Sequence, residues 1–187
     1  MAITLITAPA ANPVDSATVK LHLRVIGTSE DALIDLYTNA AISALEKTIE
    51  GALITQTWDF YLDSFASERI DIPLPPLQSV TSIKYLDANG AQQTLSNTRY
   101  TVDTASKPGG VVVDSDGWPV TYDTVNAVII RFVAGFGSAS DVPASLRSAL
   151  LLHIGDLYEN RQTGSERQVF NNPAYDRLTY PYRILSI

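Results

Sequence analysis

The sequence predicts an α+β protein. It reads as a small helical bundle, made of two N-terminal helices and one C-terminal helix, with an inserted antiparallel β region and an extended C-terminal tail. Three observations predict this. Apolar residues recur at helical spacing up to about residue 50. The period changes from about 3.6 to 2 at Leu53, and it returns to helical spacing after Val142-Pro143. The expected boundaries are residues 1–51 and 138–161 for the helical core, 52–137 for the β region and 162–187 for the tail. The full length of 187 residues fits one domain, or one domain with a large insertion.

The elements follow in order. Pro9 and Pro13 keep the opening segment out of any regular helix. Asp15 or Ser16 can cap a first helix through Val19, Leu21 and Leu23, which Gly27 ends. Ser29 is expected to cap the second helix, with Glu30 and Asp31 in its first turn, and Gly51 to stop it. On that helix Asp31, Asp35, Asn39, Ser43, Glu46 and Glu50 form a narrow acidic stripe. Leu33, Ile34, Leu36, Tyr37, Ala40, Ala41, Ile42, Ala44, Leu45 and Ile49 form an apolar arc too wide for one neighbour to cover. In the β region, Ile54, Trp58, Phe60 and Leu62 alternate with Thr55, Thr57, Asp59 and Tyr61. Strands are also expected at Ile70-Asp71-Ile72, 80–86, 92–95, Tyr100-Thr101-Val102 and Gly110-Val111-Val112-Val113. The Asp87-Ala88-Asn89-Gly90 run signals a tight hairpin. Residues 125–133, apolar on both faces except Asn126 and Arg131, belong at the centre of the sheet. The third helix opens at Asp141 or Val142-Pro143 and ends near Arg161. Beyond it the periodicity fails, and the tail, with Tyr175, Tyr180, Tyr182, Arg167, Arg177 and Arg183, is either disordered alone or folded against something else.

Composition narrows the function classes. Apolar residues make up 45% of the chain and charged residues 18%, which supports a packed core. No apolar run is long enough to span a bilayer. The first seven residues lack the basic region of a secretory signal, and there is no cysteine; both fit folding in a cytoplasm. The net charge of −7, with 13 basic residues scattered among 20 acidic ones, argues against gripping DNA by its phosphates. An acidic wall would repel DNA, as a conduit requires; a modest negative charge also simply keeps a protein soluble.

No convergent catalytic set is present, so no enzyme is expected, and no cofactor or metal. His22 and His153 lack a second ligand at metal spacing, and a structural role is the better reading. Ala134-Gly135-Phe136-Gly137 lacks the Lys of a phosphate loop and reads as a joint between sheet and helix. Asp114-Ser115-Asp116-Gly117 lacks the later ligands of a calcium loop and reads as a β-turn. Asp59 and Asp63 have nothing to place them across a cleft. The aromatic set Trp58, Tyr61, Tyr85, Tyr100, Trp118 and Tyr122 can stack on a sugar or a protein partner, or fill a β core; the core reading is favoured. The Tyr- and Arg-rich tail carries interface-type residues and can add to a partner's sheet edge, or it is a frayed end.

The chain resembles the tailed-phage head–tail connector (adaptor, head-completion) proteins that carry a β insertion. The resemblance rests on ordered blocks: Leu5-Ile6-Thr7 with Pro9; Val19-Lys20-Leu21-His22-Leu23-Arg24-Val25; Glu30-Asp31-Ala32-Leu33-Ile34; and Ala52-Leu53-Ile54-Thr55-Gln56-Thr57-Trp58. It continues through Leu74-Pro75-Pro76-Leu77-Gln78-Ser79-Val80-Thr81-Ser82-Ile83, Ala134-Gly135-Phe136-Gly137, Val142-Pro143, and Leu150-Leu151-Leu152-His153 leading to Leu157-Tyr158-Glu159-Asn160-Arg161. From Gln162 onward the match is weakest.

The resemblance implies a structural virion protein made in a host bacterial cytoplasm and placed at the head–tail junction. It would form a homo-oligomeric ring, a dodecamer matching the portal's symmetry, beneath the portal protein. The next tail-side connector or a tail terminator would follow, DNA would pass the lumen without specific binding, and no membrane is involved. The tail from Ser165 to Ile187 would reach the portal, with Tyr175, Arg177, Tyr180, Tyr182 and Arg183 as contact candidates. Asp31, Asp35, Glu46 and Glu50 are candidates to face the channel. The alternative is a β-rich carbohydrate- or receptor-binding virion module, which would use Trp58 or Trp118.

Overall fold

The structure is a computed structural model that describes residues 2–160 and 173–184. The chain divides into two compact units, one built from residues 1–10 and 54–136, the other from 11–53 and 137–187.

The first unit is all β. Its main sheet has five strands in the order β1-β2-β8-β4-β5, with β1 Ala2–Thr7, β2 Gln56–Leu62, β4 Leu77–Leu86, β5 Gln92–Leu95 and β8 Val128–Ala134. Every neighbouring pair is antiparallel. A second sheet, in the order β3-β7-β6, joins β3 Arg69–Asp71, β7 Gly110–Val113 and β6 Tyr100–Asp103. The apolar β8 takes the central position, as its two-sided pattern predicts, and Val128, Ile130, Phe132 and Ala134 are fully buried. At the hairpin after β4, Gly90 takes φ 79° and donates to the Asp87 carbonyl at 2.8 Å. The Asp87 carboxylate accepts the N–H groups of Asn89 and Ala91 and the Gln93 amide.

One element corrects the sequence expectation. Residues 2–7 are placed by sequence with the helical part; they form β1, the edge of the main sheet. Gly135, expected to be a loose joint, is held. Its N–H donates to Pro76 and its carbonyl accepts from Gln78, and at φ 117° an added Cβ would stand 2.3 Å from the Ile54 carbonyl oxygen. Only glycine fits there.

The second unit is helical: α1 Ser16–Leu23, α2 Asp31–Ile49, α3 Ala144–Glu159 and α4 Pro173–Thr179. Its core is Val19, Ile34, Ala41, Leu45 and Ile49 with Leu146, Ala149, Leu150 and Ile154. Asp15 caps α1 as expected, accepting the Thr18 N–H at 2.7 Å. The stop signals differ from expectation. Arg24 (φ 59°) ends α1 and Glu50 (φ 51°) ends α2, each in the left-handed region, and neither Gly27 nor Gly51 takes that role. The Gly51 N–H returns to Glu46 and the Glu50 N–H to Lys47, so the closing bonds form around a non-glycine residue. Ser29 does not cap α2; Glu30 occupies the cap position without a side-chain capping bond. The tail, expected to be extended, contains α4 and a 3-10 turn, Tyr180–Tyr182.

Candidate assembly surfaces

The tail candidates gather on α4 and the turn behind it. Pro173 suits a first helical turn because its missing N–H would be unpaired there anyway. Tyr175 sets its ring against His153 of α3 edge to face, with centroids 5.6 Å apart at 78°. Thr179 is fully buried and donates back to the Tyr175 carbonyl at 3.1 Å. Arg183 donates to Asp176 at 2.9 Å and to the Thr179 hydroxyl at 3.3 Å. The Ser145 hydroxyl donates to Tyr182 at 3.0 Å. Tyr175, Tyr182 and Arg183 are therefore half-buried and engaged within their own bundle, whereas Arg177 and Tyr180 are exposed. Arg161, Ser165, Arg167 and Ile187 lie outside the described residues.

The acidic stripe of α2 splits in the same way. Asp31 accepts from Lys20 at 2.7 Å, and the same ammonium donates to the Gly27 carbonyl, which ties α1 to the start of α2. Glu46 accepts the Leu53 N–H at 2.9 Å. Asp35 and Glu50 stay exposed. The wide apolar arc of α2 is only partly covered, because Leu36 remains 63% exposed. Leu21 of α1 is 80% exposed, and Ile26 is 96% exposed.

A cleft of about 510 Å³ opens where the starts of α1 and α3 converge, lined by Asn12, Asp15, Thr18, Ser140, Arg147 and Ser148 among others. The Asp15 carboxylate is committed to its helix, and the Thr18 backbone N–H holds it below the usual carboxylate range. Among the described residues no group of three His, Cys, Asp or Glu could hold a metal ion.

In the β unit the chemical candidates of the sequence find structural partners. Arg131 grips Asp59 with two bonds of 2.7 Å across β2 and β8. Asp63 accepts the Asn126 N–H at 2.9 Å. Asp114 accepts from Arg99 at 2.8 Å and from the Asp116 N–H at 3.1 Å, which is the turn expected there. Trp118 stacks on Phe65 with centroids 4.5 Å apart, and its indole N–H donates to the Ser67 carbonyl at 2.7 Å. Tyr85 meets Phe65 edge-on at 6.1 Å. Trp58 is half-buried and Tyr100 is buried. One face of Trp118 is thus covered by the half-buried Phe65 of the same chain. Tyr122 is exposed.

No protein-family model matches the chain. A 45-residue stretch is 38% identical to the head completion protein gp6 of Enterobacteria phage HK97, covering 24% of this chain and 42% of that protein. The match therefore spans less than half the length of that curated relative. The whole chain is similar to a chain in the neck of the empty gene transfer agent (GTA) particle with C6 symmetry: TM-score 0.81, 25% identity, 100% of this chain and 97% of the other. It matches equally a chain of the native gene transfer agent virion, at TM-score 0.82, and a chain in the native particle's neck with C12 symmetry, at 0.80. Both of these are also 25% identical and cover the same shares.

Proposed function

We propose that this chain is a head–tail connector subunit, a structural virion protein that forms a ring beneath the portal, joins the DNA-filled head to the tail and lets DNA pass. The observation that carries the reading is the end-to-end likeness to neck chains, which covers 100% of this chain at TM-scores of 0.81 and 0.80. The twelvefold symmetry of one such neck supports a dodecamer. The head completion protein adds sequence likeness of the same class. A structural role, not a catalytic one, agrees with side-chain carboxylates that are spent on internal bonds.

The residues then divide by task. Arg177, exposed on the docked α4, and Tyr180, exposed on the turn behind it, are the portal contacts, while Tyr175, Tyr182 and Arg183 seat that helix on α3. Asp35 and Glu50 face the channel, where an acidic wall repels phosphates; Asp31 and Glu46 serve the fold of the bundle. The exposed Leu21, Ile26 and Leu36 are available for contact with a neighbouring copy. The portal lies on one side of the ring, and a further connector or tail terminator on the other.

Deleting the chain from the producing phage tests the reading. Filled heads separated from finished tails are expected, with infectivity restored by supplying the chain in trans. Normally tailed, infectious particles would contradict it.

A further inference from the structure

We propose that neighbouring copies of this chain join by strand addition, β1 of one copy pairing along β5 of the next. The proposal rests on the connector reading and names a surface by which the ring closes.

The starting point is β1. Its sequence, Ala-Ile-Thr-Leu-Ile-Thr, holds no charge and no proline. All its residues are exposed, with Ile3 at 39%, Leu5 at 42% and Ile6 at 43%. Among the described residues it pairs only with β2, so its other edge presents open backbone donors and acceptors. Soluble proteins guard such edges with Lys, Pro or inward charges, because a bare apolar edge is a template for another strand. Here the only irregularity is the register shift between Leu5 and Thr7. An edge this bare calls for a cover.

The other edge of the same sheet points to a second copy as the occupant. A ring of more than two subunits needs two unlike, complementary faces on each subunit. The open sheet supplies two unlike edges. Opposite β1 stands β5, Gln-Gln-Thr-Leu, also uncharged and exposed at Gln92, Gln93 and Thr94. No charge is buried when the two meet. The directions agree as well. The strands between the edges are linked by antiparallel pairs throughout, and the count of five is odd, so β1 and β5 run the same way. Rotation about a ring axis then brings β5 of one copy beside β1 of the next in parallel, without reversing either. A two-fold β1–β1 contact would instead be antiparallel and would end at a dimer.

The register identifies a probe pair. Thr4 lies opposite Asp59, and Thr94 opposite Lys84, which in turn pairs with Ile129 and through it with Tyr61. Thr4 and Thr94 are therefore on one face of the sheet. The chain has no cysteine, so introduced thiols are the only ones present.

The experiment uses the full chain carrying Thr4→Cys and Thr94→Cys, with each single variant as control, treated with a short bis-maleimide after folding is checked by circular dichroism. The double variant should give a ladder of dimer, trimer and larger covalent species, and the single variants should not. In parallel, Ile6→Lys should shift sedimenting rings to monomer. Rings seen by electron microscopy without a ladder, or unaffected by Ile6→Lys, would overturn strand addition and leave the connector reading intact. Dimers from Thr4→Cys alone, as abundant as from the pair, would replace it by a β1–β1 contact. A chain that forms no ring either alone or in particles would remove the connector reading and this proposal together.

Discussion

Asp59 is 4% exposed yet carries a charge, and Arg131 explains it. The guanidinium makes both short bonds to the carboxylate while reaching solvent itself, and Asp59 raises the Arg131 pKa in return. Removing the acceptor with Asp59→Ala should cost about 1–2 kcal/mol in urea unfolding, since charge-assisted bonds are lost but Arg131 can still reach water. A second carboxylate should contribute to acid sensitivity. The Ser106 side chain, Arg69, and the N–H groups of Ser106 and Ala105 hold Asp103 well below the usual carboxylate range. A depressed native pKa stabilises fully above the unfolded value near 4 and is lost as pH falls through the native one. Asp103→Asn should therefore lower the melting temperature at neutral pH and flatten its fall below about pH 4; an unchanged acid limb would contradict this. Glu50 sits at φ 51° beside a glycine that sequence reasoning selects for that very role. Glu50→Gly relieves the left-handed strain and should stabilise by about 0.5–1 kcal/mol in the same unfolding assay.

At the level of elements, α4 is the piece whose role matters most. If Arg177 and Tyr180 contact the portal while Tyr175, Tyr182 and Arg183 seat the helix, alanine at Arg177 or Tyr180 should weaken portal capture about tenfold or more without moving the melting temperature. Tyr182→Phe, which removes one internal bond to Ser145, should leave capture unchanged. The reverse ranking would exchange the two roles. The elements also show which features a sequence displays. Long periodic segments were legible: α2, α3, the central β8 and the Asp-Ala-Asn-Gly hairpin each carry their own local signal. β1 was not, because Ala2–Thr7 becomes a strand only by pairing with β2, about fifty residues away; a partner so distant leaves no trace in spacing. The short α4 was also missed, since its single pair of turns gives no periodic window. The candidate tail and stripe residues were legible as residue types. Which of them are spent internally was not, because that depends on Ser145, His153 and Leu53.

For the whole molecule, charge and assembly act together. With a net charge of −7, a ring of these subunits would present DNA in its lumen with like charge, which would favour passage over retention. Asp35→Lys with Glu50→Lys should slow DNA ejection in a way that salt relieves; unaltered ejection would place those carboxylates away from the lumen. Residue chemistry by itself reaches only an assembling α+β protein. The ring follows from likeness to neck chains, and the structure adds a helical unit with α4 docked on α3 and a β unit whose main sheet has two open edges among the described residues. The most direct measurement is an electron cryomicroscopy reconstruction of the particle neck at side-chain resolution. A twelvefold ring of this chain is expected directly beneath the portal, with Arg177 and Tyr180 at the portal contact. A neck that lacks the chain, or a chain that stays monomeric alone and with portal, would contradict the account.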